Sequence, residues 1–357
     1  MKVFQCSSCD FPVFFENTSC ENCDAILGYL SAENEIFAKQ PENVSWEIKG
    51  KSYKYCENHE LEVCNWLVAT EEDSTFCKSC HLNRTIPDLS VPEYSSRFKN
   101  MEVAKHRLVY ALERLGLPVV SQFTNPDTGL FFDFLPNNTY VNGDKVMTGH
   151  ANGVVTILLA EADAVSREKM RVSLNEKYRT LIGHFRHEVG HYYWDLIFKN
   201  NEDFTVDFRK LFGDERLDYS QALSNHYENG APTNWKSNFI SEYASSHPWE
   251  DWAETWSHYL HIMDTMETAF YFGLEVDPNF KNASHMKLSV VNPYEGDLSF
   301  KTILEKTTPL FYAVNSINRS MGIKDVYPFV ISDKVKEKLE FIHNILQRFK
   351  IQNKTLV

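Results

Sequence analysis

All eight cysteines of this chain fall between Cys6 and Cys80, and the 277 residues that follow have none. So local a concentration must staple a small N-terminal region through either disulfides or metal. The chain starts Met1-Lys2-Val3-Phe4-Gln5-Cys6, with no apolar stretch leading to a small-residue cleavage site, so no secretory signal is expected. The expected location is the cytoplasm, where thiols stay reduced and crowded cysteines bind metal. Cys6-x2-Cys9 and Cys20-x2-Cys23 are two C-x-x-C knuckles ten residues apart, a zinc-ribbon pattern that supplies four thiolates to one tetrahedral zinc. Cys56, Cys64, Cys77 and Cys80 form a second set, with one proper knuckle and one looser pair, and a second four-thiolate zinc is expected there. His59 is an alternative ligand to Cys56 or Cys64, and His81 a weaker one. Four-thiolate sites are closed, so both metals are expected to be structural and to contribute folding free energy to a small domain. Redox activity of the C-x-x-C pairs is disfavoured, because no βαβ pattern surrounds them.

The rest of the chain reads differently. Residues 88–96, with Pro87 before them and Pro92 within, look like a linker. From about 97, apolar residues fall at helical spacing (Met101, Ala104, Leu108, Leu112, Leu115), and Gly116 with Pro118 ends that helix. Strands are expected at 130–135 and 153–160, then helices near 176–200, 248–270 and 333–350. The expected architecture is therefore α+β. A zinc-ribbon region over residues 1–90 precedes a mostly helical catalytic domain with a small sheet over 97–357. No apolar run reaches the roughly 20 residues of a membrane span. The net charge of −13 argues against nucleic acid as a partner. Even the first 90 residues carry seven Lys and Arg against fifteen Asp and Glu.

The chemistry is concentrated in His187-Glu188-Val189-Gly190-His191. On a helix, His187 and His191 project from one face about one turn apart, so both imidazoles can reach one zinc. Glu188 is rotated by roughly 100° from His187, beside the metal rather than on it, where it can act as general base. A five-residue match also occurs by chance, so a third ligand decides the matter. The extended form of the motif would need Gly at 194 and His at 197, and those positions hold Trp194 and Ile197.

Downstream, Pro248-Trp249-Glu250-Asp251-Trp252-Ala253-Glu254 starts with a proline suited to a first helical turn. Glu250 and Glu254 share a face four residues apart, so that one can bind zinc while the other orients a ligating histidine through its free N–H. His258 and His261 lie roughly 12 and 16 Å beyond Glu250 along such a helix, so each competes as sole third ligand rather than as a companion. His247 reads better as a residue at the helix start, His184 as a supporting or core histidine, and Asp195 as a solvated or capping residue.

The pattern His187-Glu188-Val189-Gly190-His191, then Tyr243, then Glu250-Asp251-Trp252-Ala253-Glu254 resembles the catalytic domain of anthrax lethal factor and related zincins. The resemblance implies Glu250 as the metal ligand, Glu254 as its supporting neighbour, and Tyr243 at the reaction's oxyanion or leaving group. Over essentially its full length the chain is similar to a bacterial family of zinc-binding metallopeptidases with an N-terminal zinc ribbon. That wider likeness rests on Leu181-Ile182-Gly183-His184-Phe185-Arg186-His187-Glu188, Phe212-Gly213-Asp214-Glu215-Arg216 and His247–Trp256. It implies a fold and a metal but no substrate.

The resulting expectation is a metallopeptidase holding three Zn2+, one catalytic and two structural, and acting on a peptide or protein. The ribbon is a candidate for recognising a protein partner, and the strand at 153–160 for binding an extended substrate along its edge. The competing expectations are a ribbon-type adaptor with a catalytically silent zincin scaffold, and a zinc hydrolase of another amide or ester. Retention of Glu188 favours catalysis, since a scaffold needs the ligands and not the base.

Overall fold

In a computed structural model, which describes residues 1–141, 143–173, 176, 178–296 and 298–352, the cysteine knuckles sit on short strands and turns. The last five positions of the expected catalytic domain, and residues 174, 175 and 177 beside the expected helix start near 176, lie outside the described residues. The chain packs as two units. The first comprises residues 1–113, 119–149 and 153–167, and the second residues 114–118, 150–152 and 168–357.

In the first unit, hairpins β1 (Phe4–Gln5) with β2 (Pro12–Val13) and β3 (Ile26–Leu30) with β4 (Glu35–Lys39) precede an antiparallel sheet of β5 (Trp46–Ile48), β6 (Lys51–Tyr55) and β7 (Leu67–Ala69). Strand alternation sends Trp46 and Ile48 inward, where they meet Leu30 and Leu67, and leaves Glu47 outside. Gly28 admits this packing, because a Cβ there would stand 2.4 Å from Leu67 Cδ2. A second apolar centre joins Phe4, Phe15, Tyr29 and Trp66 to Tyr110 of helix α1 (Pro92–Arg114). Helix α1 starts at Pro92 itself, so the expected linker over 88–96 is largely its first turn. Proline lacks only an N–H that this turn would leave unbonded.

Strands β8 (Asn83–Thr85) and β9 (Phe131–Leu135) are followed by the small hairpin β10 (Tyr140–Val141) and β11 (Asp144–Lys145), then β12 (Gly149–Ala151) and β13 (Val154–Leu158). The sheet order is β12-β13-β9-β8, with β9 parallel to both β8 and β13. The two expected strands are present as β9 and β13. However, β13 lies between β12 and β9, so its main chain is already paired on both sides and offers no free edge to a peptide.

Helix α2 (Ala164–Ser173) leads to the helices of the second unit: α3 (Leu181–Phe198), α4 (Glu202–Phe212), α5 (Tyr219–Asn229), the single turn α6 (Trp235–Asn238), α7 (Pro248–Tyr271), α8 (Phe300–Ser320) and α9 (Asp333–Gln352). Strands β14 (Glu275–Val276) and β15 (Leu288–Ser289) pair between α7 and α8. Side chains define the helix starts: Thr180, Asn201, Asp218 and Ser299 each accept a backbone N–H of the first turn, and His247 Nδ1 does the same from Trp249. Helix α7 runs through the centre with almost its whole circumference buried, packed against α3, α8 and α9. Among the described residues no helix is long and apolar enough to cross a membrane.

Candidate catalytic metal centre and cysteine sites

Helix α3 can lie close against α7 because residue 190 has no side chain. A Cβ on Gly190 would stand 3.1 Å from Ala253 Cα and 3.2 Å from Trp256 Cδ1. The Gly190 carbonyl accepts a hydrogen bond from Trp252 Nε1 at 2.8 Å, which fixes the two helices in register. Gly190→Val should therefore cost about 1–3 kcal/mol by overpacking and loosen metal at this centre. Thermal melts with metal analysis would show it, and an unaltered melting temperature would refute it.

This close approach brings His187, His191 and Glu250 together, with one donor atom of each lying within 4.8 Å of the others. His187 Nε2 is 3.3 Å from His191 Nε2 and 3.0 Å from Glu250 Oε2, and His191 Nε2 is 3.5 Å from Glu250 Oε1. Tetrahedral bonds of about 2.0–2.1 Å place neighbouring ligand atoms roughly 3.3 Å apart, so the donor set has the spacing zinc requires. Its chemistry fits as well. His187 Nδ1 donates to Glu254 Oε1 at 2.9 Å, which in the neutral ring leaves Nε2 as a lone pair. That lone pair faces a carboxylate oxygen, Glu250 Oε2, which is buried and takes no hydrogen bond among the described residues. Electron pairs so arranged repel one another unless a cation lies among them.

The supporting groups form a chain. Ser241 Oγ donates to Glu254 Oε2 at 2.7 Å and Glu254 holds His187, so the ring is fixed from behind. Burial acts to raise the Glu254 carboxyl, but its hydrogen bonds with His187 and Ser241 hold it below the usual carboxylate range. Glu188 is half-buried, and its carboxylate makes no hydrogen bond or ion pair among the described residues. Tyr243 lies on a short turn just before α7, with its ring centroid 6.0 Å from that of His187. Burial and then the nearby Glu250 carboxylate push its phenol well above the usual tyrosine value, so it stays protonated as a donor.

The competing histidines go elsewhere. His258 Nδ1 bonds Tyr327 Oη at 2.8 Å, and burial lowers its imidazole to about 4. His261 pairs with Arg186, which also binds Asp264. His247 caps α7 and donates from Nε2 to the Leu217 carbonyl at 3.1 Å. His184 is not among the converging donors, and Asp195, raised by burial, is within electrostatic reach of His191 and Lys199. Sequence spacing did not reveal Ser241 or Tyr219, whose hydroxyl donates to Glu250 Oε1 at 2.7 Å. Nor did it reveal His150, which lies near His191 and is lowered to about 3, chiefly by burial.

The two cysteine sets also converge, each as four sulfurs whose atoms lie within 4.8 Å of one another. The Sγ–Sγ distances are 3.8 Å for Cys6–Cys23, 3.6 Å for Cys9–Cys20 and 3.8 Å for Cys64–Cys77. They are far longer than a disulfide's roughly 2.05 Å and match the edge of about 3.8 Å for a tetrahedron with 2.3 Å zinc–sulfur bonds. Each knuckle of the first set turns through an aspartate in left-handed backbone, Asp10 at φ 59° and Asp24 at φ 55°. In the second set, backbone N–H groups of Trp66, Cys77 and Cys80 point at Cys64, Cys56 and Cys77 sulfurs at 3.3–3.4 Å. Burial, and then the neighbouring thiols, push Cys64 well above the usual thiol value, so four ionised sulfurs there require a cation. His59 is held by the Cys64 carbonyl and stacks on Tyr55, while His81 bonds Ser74, so neither joins the sulfurs.

Comparison with known proteins agrees with this division of chemistry. Residues 3–91 match a zinc-ribbon domain family. Three proteins described as uncharacterized, one from Mycobacterium bovis and two from Mycobacterium tuberculosis strains, are each 39% identical over 346 residues. The alignments cover 97% of this chain and 95% of each relative. No solved structure matches. Residues 94–345, which contain both histidines of the α3 pair and the α7 glutamates, match the family described as "Putative zinc-binding metallo-peptidase", and the chain belongs to that family.

Proposed function

We propose that this protein is a zinc metallopeptidase in which His187, His191 and Glu250 hold the catalytic ion and Glu188 is the general base. The observation that carries this reading is the convergence of three donors at zinc spacing with an unpaired carboxylate on the adjacent residue. A zinc ion at this position supplies Lewis acidity toward a peptide carbonyl and makes water a stronger acid.

Glu188 accepts the proton of the attacking water and delivers it to the leaving amine. Its carboxylate is free to do so because no side chain among the described residues claims it. Tyr243 donates its phenolic hydrogen to the oxygen that gains charge as the carbonyl carbon becomes tetrahedral. Glu254 and Ser241 keep His187 in one tautomer and one orientation, which reduces reorganisation during the reaction.

The cysteine sets Cys6, Cys9, Cys20, Cys23 and Cys56, Cys64, Cys77, Cys80 bind two structural zinc ions in this reading. The ribbon region, residues 1–90, then acts as a recognition module joined to a catalytic domain over 97–357. The substrate is a peptide or protein in the cytoplasm. The exposed carboxylates of an acidic chain disfavour nucleic acid.

Metal analysis tests the assignment directly. The wild-type protein should carry three zinc ions per chain and His187→Ala two, with the four-thiolate ions retained. The variant should also lose chelator-sensitive hydrolysis of a peptide library. Three ions in His187→Ala, or hydrolysis that survives the substitution, would refute the proposal.

A further inference from the structure

The segment Phe212-Gly213-Asp214-Glu215-Arg216 has no part in the chemistry above, yet it builds the turn that delivers Tyr219. Gly213 ends α4 at φ 104°, a backbone conformation that suits glycine. Buried Glu215 is gripped by Arg209 Nε at 2.9 Å, and Asp214 by Arg216 at 2.7 Å. The chain then reaches Asp218, which caps α5, and Tyr219 is the first residue of that helix. The Tyr219 ring lies edge-on to His247 at 5.2 Å and tilted against Trp249 at 6.0 Å. His247 also donates to the Leu217 carbonyl, two residues before Tyr219. The start of α7, the same turn that carries Glu250, thus clamps Tyr219 from two sides.

The two oxygens of Glu250 are treated unequally as a result. Oε1 accepts the Tyr219 hydroxyl at 2.7 Å, whereas Oε2 takes no hydrogen bond among the described residues and faces His187 Nε2 at 3.0 Å. Resting on the metal site proposed above, we infer that Tyr219 is a positioning residue that makes Glu250 a one-oxygen ligand through Oε2. By engaging Oε1 it keeps the carboxylate from closing on the ion with both oxygens. A coordination position is thereby kept for water and substrate. Tyr243 is also close to Glu250, but among the described residues the hydroxyl that bonds this carboxylate is that of Tyr219; the task proposed for Tyr243 is at the reacting oxygen.

Tyr219→Phe removes the one hydroxyl and preserves the ring that His247 and Trp249 clamp. The probe is cobalt(II) exchanged into wild type, Tyr219→Phe, Tyr243→Phe and His187→Ala, with the His187→Ala spectrum subtracted to isolate the catalytic ion. In Tyr219→Phe the visible absorption should weaken, as it does when four-coordinate cobalt gains a fifth ligand. Competition with a chelator should show catalytic-site affinity reduced by about 10–100-fold. Tyr243→Phe should keep the wild-type spectrum. A Tyr219→Phe spectrum and affinity equal to wild type would overturn the role of Tyr219 while leaving the metal site intact. Identical spectra in wild type and His187→Ala would instead sink the metal site and this inference with it.

Discussion

Glu188→Gln should reduce peptide hydrolysis by about 10²–10⁴-fold with all three metals still bound. The substitution keeps the side chain's shape and removes its capacity to accept a proton at neutral pH. Glu188 is a clean target because its carboxylate makes no hydrogen bond or ion pair among the described residues, so nothing in the fold loses a partner. Stability should accordingly stay within about 0.5 kcal/mol of wild type, as for substitutions that break no buried interaction. Paired with His187→Ala, the variant separates two failures. One protein keeps its metal and loses the base, and the other loses the metal itself. If Glu188→Gln hydrolysed peptides at the wild-type rate with its zinc in place, the carboxylate would have no part in catalysis.

The helix carrying His187, Glu188 and His191 could be read from the sequence because helical geometry alone puts residues four apart on one face. The same holds for Glu250 and Glu254, and Pro248 with a capping residue marked where that helix starts. The knuckles were legible for a similar reason, as Cys-x2-Cys is a local turn whose geometry does not depend on the rest of the fold. What spacing could not give was the partner across space. Tyr219 lies 31 residues from Glu250 and meets it only because α4 ends at Gly213 and the chain turns back. Ser241, 13 residues before Glu254, has no pattern around it at all. Helix α8 was hidden by Pro309, a residue that ordinarily argues against a helix interior; here α8 runs from Phe300 to Ser320 with the proline inside. The strand expected at 153–160 is present as β13, but its interior place in the sheet depends on β12, whose three residues Gly149–Ala151 carry too short a pattern to recognise.

Lys338→Met should destabilise the protein by about 3–5 kcal/mol, the cost of leaving one member of a buried ion pair without its partner. Asp251 and Lys338 are almost completely buried, at 0% and 2% exposure, and Lys338 Nζ lies 2.6 Å from Asp251 Oδ2. The ammonium also donates to the Asn238 carbonyl at 2.7 Å and sits 4.3 Å from the Phe239 ring centroid, so α9 is tied to the turn after α6 as well. Within the sequence pattern Glu250-Asp251-Trp252-Ala253-Glu254, the glutamates are the ones proposed to serve the metal. Asp251 points away from it and anchors the first turn of α7 to α9. The loss would be a large share of a domain's usual 5–15 kcal/mol, and urea unfolding would measure it. Lys338→Met combined with Asp251→Leu should recover most of the stability, because no charge is then left buried alone. Zinc at the site proposed on His187, His191 and Glu250 should leave the single variant more readily than zinc proposed on the cysteines, since α7 carries Glu250 and the cysteine sites lie in the other unit. A single variant as stable as the double would mean that the pair contributes nothing, and that α7 is held by its apolar faces alone.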